Sequence, residues 1–256
     1  RRIKAITKGY NRARNNNFVT EKKLTDWEEL FFRGNEKFDA ENYEGAIEDY
    51  TESLKLKPDA STYLNRARSK FNIDDDSGAK FDYLRAIELN PNWWEAHYRL
   101  GITQYWLGDY YGALSSLMTF NKLVDWVGDD YDIYSYLYIS KSFRGLSFFE
   151  KAFDYINYVI EETDFSSVIN SDEALSEFYL DRGNINLSLD NFEESRNDLK
   201  KASELDPTSA FTIELIGDSY LEEKNYELAI DFYNQALIID PDKYSIYQYR
   251  AYAYEA

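Results

Sequence analysis

The stretch LFFRGNEKFDAENYEGAIEDYTESLKLKP at residues 30–58 returns as IELIGDSYLEEKNYELAIDFYNQALIIDP at residues 213–241. In both copies a glycine, an alanine, a tyrosine and a proline occupy the same register. The chain has four prolines, and all of them mark this register: Pro58, Pro91, Pro207 and Pro241. The sequence therefore contains an internal repeat of about 34 residues, a unit that buries its apolar face by stacking on copies of itself.

Each repeat is predicted to fold as a helix hairpin. Apolar residues fall at helical spacing in two stretches of roughly a dozen residues, separated by a turn rich in Gly, Asp and Asn. A proline such as Pro58 ends the second helix, because proline lacks an amide proton and disfavours helical geometry in the preceding residue. Gly34 and Ala46 fall where the two helices cross most closely, and Tyr50 fills the space toward the next repeat. The pattern predicts an all-α solenoid of stacked antiparallel hairpins.

Composition places the chain among folded proteins without thiol chemistry. With 256 residues, of which 44% are apolar and 18% aromatic, it has enough apolar material for a continuous core. It has no cysteine, which excludes disulfides, thiolate metal ligands and a cysteine nucleophile. It lacks both a run of eighteen apolar residues and an apolar leader, so we expect a soluble, cytoplasmic protein. The sequence begins with Arg1 and not with Met, which leaves an earlier export signal open.

Charge is distributed unevenly along the chain. The formal net charge is -18, yet residues 1–26 hold eight Lys or Arg against Glu21 and Asp26, which leaves -24 for the remainder. An acidic body of this kind repels nucleic acid and anionic membranes and attracts basic partners. The same charge also keeps an aromatic-rich solenoid in solution. Two interpretations of the basic arm at residues 1–26 stay open: contact with the acidic body, or contact with nucleic acid or anionic lipid.

One stretch carries most signature positions of a known repeat family. They are His97, Leu100, Gly101, Tyr105, Gly108, Asp109, Tyr110, Ala113, Leu117 and Phe120. The pattern resembles the tetratricopeptide repeat (TPR), and it recurs along the chain. The resemblance implies a right-handed superhelix whose concave groove is lined by the first helix of every repeat. It also implies a noncatalytic scaffold that binds a peptide or protein partner in this groove.

The repeat register divides the chain into four parts. Residues 1–26 form the basic arm, and residues 27–127 hold repeats 1 to 3. Residues 128–175 hold a divergent repeat 4 with insertions at 128–132 and 167–175, because the interval from Pro91 to Pro207 exceeds three periods by 14 residues. Residues 176–256 hold repeats 5 and 6 and the first helix of a seventh. That helix lacks a polar cap, so we expect either a longer natural protein or an oligomer.

The residues predict neither an enzyme nor a metal or cofactor site. The single histidine, His97, falls at a packing position of the repeat and cannot build a metal site alone. The aspartates at residues 74–76 are similar to the start of a calcium loop, but Ala79 and Arg85 stand where that loop needs glycine and glutamate. The chain also lacks a phosphate-binding glycine loop and a nucleophile elbow.

The resemblance allows one specific test of the partner. TPR domains that capture the acidic carboxyl-terminal tails of heat-shock chaperones use a clamp of two lysines, two asparagines and one arginine. Asn35, Asn65 and Arg99 match the asparagines and the arginine, whereas Phe31 and Glu95 stand at the lysine positions. This exchange weakens the binding of a terminal carboxylate by roughly several kcal/mol. We therefore predict that the chain is not a co-chaperone adaptor of this kind. The two asparagines are either peptide contacts or ordinary helix-surface residues.

Aromatic residues are frequent on the predicted first helices, and such rings are typical interface hot spots. The candidate partner-binding residues besides the three clamp matches are Phe31, Phe32, Tyr98, Tyr105, Trp106, Tyr134 and Tyr138. Toward the rear, the same face carries the carboxylates of Glu177, Asp181, Glu214 and Asp218. We therefore expect a partner segment with apolar anchors and a basic end. The alternative is a structural assembly element, or a regulatory domain of a larger protein or homo-oligomer.

Overall fold

The computed structural model describes residues 24–127, 133–162 and 172–256, which form helices and turns without any strand. The helices are α1 Asp26–Asp39, α2 Tyr43–Leu56, α3 Ala60–Phe71, α4 Asp76–Leu89, α5 Trp94–Trp106, α6 Tyr110–Val127, α7 Ile133–Gly145, α8 Phe149–Glu162, α9 Asp172–Ser188, α10 Phe192–Leu205, α11 Ala210–Glu222, α12 Tyr226–Ile239 and α13 Tyr244–Glu255. The all-α class is confirmed. Nearly all of the basic arm and most of the predicted insertions lie outside the described residues.

Consecutive helices pair as hairpins, from α1 with α2 to α11 with α12, and each hairpin packs on the next. The first helices of neighbouring hairpins also touch each other, as α7 does with α9 and α11 with α13. Among the described helices, the second helices make no comparable contacts with one another. The first helices therefore lie on the inner side of the curve and form the concave groove. Six hairpins and a seventh first helix confirm the predicted repeat number.

Polar side chains at the helix starts determine where several helices begin. Six residues directly before a helix accept a hydrogen bond from the backbone N–H three residues later, at 3.0 to 3.4 Å: Asn42, Asp59, Asp75, Asp109, Ser209 and Asn225. Thr25 and Glu28 form a capping box at the start of α1. These caps satisfy amide groups that have no partner inside the helix. The aspartate run at residues 74–76 is thus part of a helix start, since Asp75 caps α4.

The turn inside each hairpin contains one residue in the left-handed backbone region. The angle φ lies between 59° and 72° at Glu41, Asp74, Gly108, Ser147, Asp190 and Lys224. These positions share one register, with one of them in each hairpin. Only Gly108 is a glycine, and other L-residues adopt this region at a cost of about 1 to 2 kcal/mol. Five of the six turns therefore carry backbone strain.

The two helices of a hairpin cross at a glycine that faces a bulky side chain. A Cβ atom at Gly34 would lie 2.5 Å from Tyr50 Cε1, and one at Gly217 would lie 2.7 Å from Tyr233 Cε1. Both tyrosines are almost completely buried. No side chain larger than hydrogen fits at these crossings without moving the ring. The close crossing predicted at Gly34 is confirmed.

Buried aspartates of second helices pair with basic residues of first helices. Asp82 is 0% exposed and accepts hydrogen bonds from Arg66 Nε at 2.8 Å and Arg66 Nη2 at 2.7 Å. Lys70 Nζ lies 2.8 Å from the same carboxylate. The first and fifth hairpins repeat the arginine–aspartate pair, with Arg33 and Asp49 and with Arg182 and Asp198. Each carboxylate is therefore buried against a compensating charge, which is largely covered at Arg66 and Arg182 and exposed at Arg33.

The sixth hairpin replaces this ion pair by aromatic rings. Phe232 occupies the register position of Asp82, and Tyr220 occupies that of Lys70. Their rings stack with centroids 5.5 Å apart and an interplanar angle of 15°. One position of the repeat thus accepts either an ionic or an aromatic arrangement.

The interval predicted to be divergent contains a long helix. α9 has 17 residues and begins at Asp172, so that residues 172–175, which we assigned to an insertion, form its first turn. Phe178 on this helix is fully buried in a cluster with Leu137 and Ile156 of the preceding hairpin. The fifth hairpin therefore packs directly on the fourth. None of the helices in the described ranges is long and apolar enough to cross a membrane.

Candidate functional site

All ten predicted partner-binding residues lie on first helices, which form the concave groove. They are Phe31, Phe32 and Asn35 on α1, Asn65 on α3, Tyr98, Arg99, Tyr105 and Trp106 on α5, and Tyr134 and Tyr138 on α7. A position on a first helix does not by itself put a side chain in the groove, because one face of each helix packs on its hairpin partner. The contacts of each side chain show whether it faces the groove or packs on the second helix of its hairpin.

Asn35 and Asn65 form a hydrogen-bonded amide pair across the first two repeats. Asn65 Nδ2 donates to Asn35 Oδ1 at 2.9 Å, and the hydroxyl of Tyr50 donates to the same oxygen at 2.8 Å. Both amides are half-buried. The structure thus brings the two asparagines together, and Asn35 Oδ1 already accepts two hydrogen bonds from within the chain.

Arg99 is engaged by a neighbour on its own helix. Its Nε donates to Glu95 Oε1 at 2.9 Å, and both side chains are largely covered. Glu95 occupies one of the two positions at which the chaperone-tail clamp has a lysine. The charges of Glu95 and Arg99, which occupy two of the five clamp positions, therefore cancel, and this part of the groove has less positive charge than the chaperone-tail clamp.

A second arginine, Arg68, lies beside this pair. Burial lowers the pKa of its guanidinium, and the nearby Arg99 lowers it further. Arg68 also lies 4.7 Å from the ring centroid of Phe38, a cation–π distance. Burial raises the pKa of Tyr83, which faces the same two arginines. The front of the groove thus combines two arginines with phenol and amide groups.

Tyr105, Trp106 and Tyr138 form what we call the central aromatic cluster, at the junction of repeats 3 and 4. The ring centroids of Tyr105 and Tyr138 are 5.2 Å apart, and those of Tyr105 and Trp106 are 5.4 Å apart. Trp106 is 60% exposed, whereas the two tyrosines are half-buried. Burial raises the pKa of Tyr138 to about 12. The cluster presents an exposed indole on a rigid base of two tyrosine rings.

The remaining aromatic candidates pack mainly between helices. Phe31 contacts Tyr50 with ring centroids 6.1 Å apart, Tyr98 contacts Phe120 at 5.0 Å, and Tyr134 contacts Phe178 at 5.7 Å. Phe32 packs edge-on against Phe31 at 5.4 Å. All four candidates are half-buried. These ring partners lie outside the central aromatic cluster, although Tyr134 is one helical turn from Tyr138 on α7.

Ionic contacts join repeats 4 and 5 across the groove. Lys141 Nζ lies 3.3 Å from Glu177 Oε1, and Arg144 Nε donates to Asp181 Oδ1 at 3.1 Å. Ser140 Oγ lies 2.7 Å from Asp181 Oδ2 and 3.0 Å from the carbonyl oxygen of Ala152. Burial raises the pKa of Asp181, while Arg144 and Ser140 oppose the shift. Both basic residues are therefore bound to carboxylates of this chain.

An open cavity of about 400 Å³, the rear cavity, lies between α9, α11 and α13, and its lining includes Asp218 and Tyr249. The hydroxyl of Tyr233 donates to Asp218 Oδ1 at 2.7 Å. Burial raises the pKa of Asp218 to about 6, and the nearby Glu214 and Glu222 add to the shift. The sequence analysis included Asp218 but missed Tyr249. The repeat register was the available signal, because it places Tyr249 on the seventh first helix beside α11.

Neither a metal site nor a histidine-based site is formed by the described residues. Within these ranges no three His, Asp or Glu side chains are grouped so that they could hold a metal ion. The ring Nε2 of His97 lies 2.9 Å from the carbonyl oxygen of Pro91, which precedes the same helix. This contact orients the ring toward the backbone, as expected for a structural residue.

Comparisons with known proteins agree with this architecture. A family model for the tetratricopeptide repeat matches residues 60–92, 176–209 and 213–243. The structure of YrrB, described as a TPR protein with an unusual peptide-binding site, matches with a TM-score of 0.61 and 18% identity, covering 81% of this chain and 98% of YrrB. The Cut9–Hcn1 hetero-tetramer of the APC/C matches with a TM-score of 0.66 and 16% identity, covering 89% of this chain and 43% of the other.

A third similar structure is a tetratricopeptide repeat protein from Parabacteroides merdae, with a TM-score of 0.59 and 17% identity, covering 89% of this chain and 84% of that protein. No curated protein matches the sequence. Six stacked hairpins with a continuous inner face define the class, a right-handed α-solenoid. The matched stretches resemble proteins built of tetratricopeptide repeats, and the described helices accommodate about six such repeats. Such proteins are generally noncatalytic scaffolds for protein interactions.

Proposed function

We propose that this chain is a noncatalytic scaffold that binds a peptide or protein segment in its concave groove, with the central aromatic cluster as the main anchor site. The exposed indole of Trp106 is the observation that supports the proposal, because it lies against Tyr105 and close to Tyr138 on the inner helices. Exposed tryptophan on a preorganised surface is a frequent source of binding energy, since little conformational entropy is lost when a partner covers it.

The amide pair has a second role in this proposal. Asn65 Nδ2 has two protons and uses one for Asn35, so the other is able to donate to a carbonyl of an extended peptide. Such a contact fixes the direction of the partner backbone without selecting its side chains. Arg99, by contrast, is already paired with Glu95, which disfavours capture of a terminal carboxylate. We therefore assign internal peptide segments, and not chaperone tails, to this groove.

The experiment compares the groove with an equivalent aromatic surface outside it. Peptides selected from a random display library on the full chain are measured by fluorescence anisotropy against Trp106→Ala, Tyr138→Ala and the control Tyr111→Ala. Tyr111 is 69% exposed but lies on the second helix α6. We expect affinity to fall at least about tenfold for Trp106→Ala and to stay within about twofold for Tyr111→Ala. Equal affinity for all variants would exclude the central aromatic cluster as the site.

A second candidate function is assembly through α13. Five tyrosines of this helix are exposed: Tyr244 at 81%, together with Tyr247, Tyr249, Tyr252 and Tyr254. Tyrosine-rich patches of this kind are typical of protein interfaces. Sedimentation velocity over a range of concentrations tests this function: Tyr244→Ser with Tyr252→Ser is expected to abolish an association that the unchanged chain shows. A monomer at every concentration would exclude self-association through α13.

A further inference from the structure

The rear cavity has apolar walls and an acidic end. Its walls include Leu187, Leu221 and the ring of Tyr249, and its carboxylates are Asp190, Asp218 and Glu222. A second open cavity of about 470 Å³ adjoins it and shares Leu221, Glu222 and Tyr249. A long side chain with an apolar stem and a cationic end fits a cavity with this lining.

The carboxylates of the rear cavity differ from three other carboxylates on the inner helices of repeats 5 and 6. Glu177, Asp181 and Glu214 pair with Lys141, Arg144 and Lys243, respectively. Within the described ranges, Asp190, Asp218 and Glu222 form no such pair with a lysine or arginine. Lys224 lines the adjoining cavity but not this one. The rear cavity therefore carries carboxylates without a paired lysine or arginine, and Lys243, which pairs with Glu214, offsets the charge of Asp218 only in part.

The environment of Asp218 shows the energetic effect of this imbalance. Burial, Glu214 and Glu222 raise the pKa of its carboxyl group, although the hydroxyl of Tyr233 stabilises the ionised form. A cation placed between Asp218 and Glu222 would offset both the burial and the mutual repulsion. Charge complementarity thus favours a positively charged occupant over a neutral or anionic one.

The aromatic wall favours the same kind of occupant. Tyr249 is 44% exposed, so one part of its ring is open to a ligand. Cations of this chain already lie over tyrosine rings in the same region, with Arg250 at 5.1 Å from the Tyr247 centroid and Arg196 at 4.6 Å from the Tyr220 centroid. A guanidinium over Tyr249 would make the same contact with a ring that borders two carboxylates.

We propose that the rear cavity binds an arginine side chain of the partner peptide, with the stem against Leu221 and Tyr249 and the guanidinium between Asp218 and Glu222. Arginine fits better than lysine, because its planar fork donates to two carboxylates and stacks on a ring. The proposal rests on the proposed function, since it assigns one further contact of a segment bound in the same groove. The partner then has its apolar anchor at repeats 3 and 4 and its arginine at repeats 5 to 7.

The test uses small probes, so that it does not depend on finding the partner. The full chain is titrated with N-acetylarginine methylamide, with its neutral isostere N-acetylcitrulline methylamide and with the lysine analogue, and amide signals are followed by NMR. The arginine probe is expected to shift the signals of Leu221, Glu222 and Tyr249 in a saturable way. We expect at least about tenfold weaker binding for citrulline and an intermediate affinity for lysine, because only arginine offers both the charge and the planar fork.

Two double variants locate the site. Asp218→Asn with Glu222→Gln is expected to weaken the arginine probe at least about tenfold. Asp231→Asn with Glu204→Gln removes the same charge from exposed positions on second helices, and affinity should stay within about twofold. Equal binding of arginine and citrulline, shifts confined to other residues, or equal losses in both double variants would each overturn the proposal. The comparison of arginine with citrulline needs no variant, so it remains valid if one of them fails to fold.

The outcomes separate this proposal from the proposed function. If the arginine probe does not bind at the rear cavity but Trp106→Ala still abolishes binding of selected peptides, the scaffold function stands and the arginine site is wrong. If the probe binds at the rear cavity but no peptide depends on Trp106, the arginine site stands and the central anchor is wrong.

Discussion

Glu95 accepts a hydrogen bond from Arg99 at 2.9 Å, one helical turn along α5. This contact puts an acidic residue against the arginine that a receptor for terminal carboxylates would need. We therefore expect the groove to show no preference for a free carboxylate. The idea can be tested by reversing a single charge.

Glu95→Lys is expected to create a preference for peptides with a free terminal carboxylate. An acidic peptide and its amidated form should bind the unchanged chain within about twofold of each other, whereas the variant should favour the free acid by about tenfold, since a charge-assisted bond contributes roughly 1.5 to 3 kcal/mol. Fluorescence anisotropy measures both affinities. Glu88→Lys is the matched control, because Glu88 also pairs with an arginine but lies exposed on the second helix α4. A strong preference of the unchanged chain for the free acid would contradict the prediction.

Asp218 is expected to make stability depend on pH. Its pKa is about 6 when folded, so the folded chain binds the proton more tightly than the unfolded chain. The Asp218 carboxyl group makes its full contribution to the free energy of unfolding below about pH 4. This contribution is lost as the pH rises through 6, a change on the order of 2 to 3 kcal/mol. Urea unfolding at pH 4 and pH 7 measures it. Asp218→Asn should remove this part of the pH dependence, although Tyr233, Glu214, Glu222 and Lys243 remain in place. Identical pH profiles of the two proteins would show that the carboxyl group is not perturbed.

Asp82→Ala is expected to destabilise the chain by about 3 kcal/mol, because Arg66 and Lys70 would be left as largely covered cations without an anionic partner. The sixth hairpin shows which substitutions should restore the lost stability. Arg66→Ile, Lys70→Tyr and Asp82→Phe together copy the residues at the same register positions, including the stacked Tyr220 and Phe232. We expect the triple variant to recover most of the loss, as measured by thermal and urea unfolding. A triple variant less stable than Asp82→Ala would show that the aromatic arrangement is specific to the sixth hairpin.

Ser147→Gly is expected to stabilise the fourth hairpin by about 0.5 kcal/mol, since glycine adopts a positive φ without steric cost. Gly108→Ala should have the opposite effect, with a loss of about 1 kcal/mol. A Cβ atom at Gly108 would meet no other atom within 4 Å, so this variant measures backbone strain alone. Urea midpoints give both values. The prediction is wrong if both substitutions change stability in the same direction.

The repeat register was sufficient to predict the hairpins, their number and the close crossing at Gly34. It also placed Asn35 and Asn65 on adjacent inner helices, where they meet. These features depend on spacing within one repeat or between neighbours of regular length. The aromatic residues were harder to interpret, because period alone does not show whether a ring such as Tyr98 faces the groove or the hairpin partner.

The ionic contacts between repeats 4 and 5 could not be predicted. Lys141 and Glu177 are 36 residues apart, and Arg144 and Asp181 are 37 apart. An irregular interval separates them, so the relative rotation of the two hairpins is not given by the period. The repeat period therefore does not show that Lys141 and Arg144 face carboxylates of the fifth repeat. In the structure both are bound to carboxylates of the next repeat.

Ser140 has one hydroxyl proton, yet its oxygen lies within hydrogen-bonding distance of two acceptors, Asp181 Oδ2 and the Ala152 carbonyl. A proton on Asp181 satisfies both contacts at once, because the acid then donates to Ser140 while Ser140 donates to Ala152. The raised pKa of the buried Asp181 favours that state, and Arg144 favours the ionised one. Protonation of Asp181 would therefore replace part of its ion pair with Arg144 by a hydrogen bond to Ser140, within the contact that joins the fourth hairpin to the fifth.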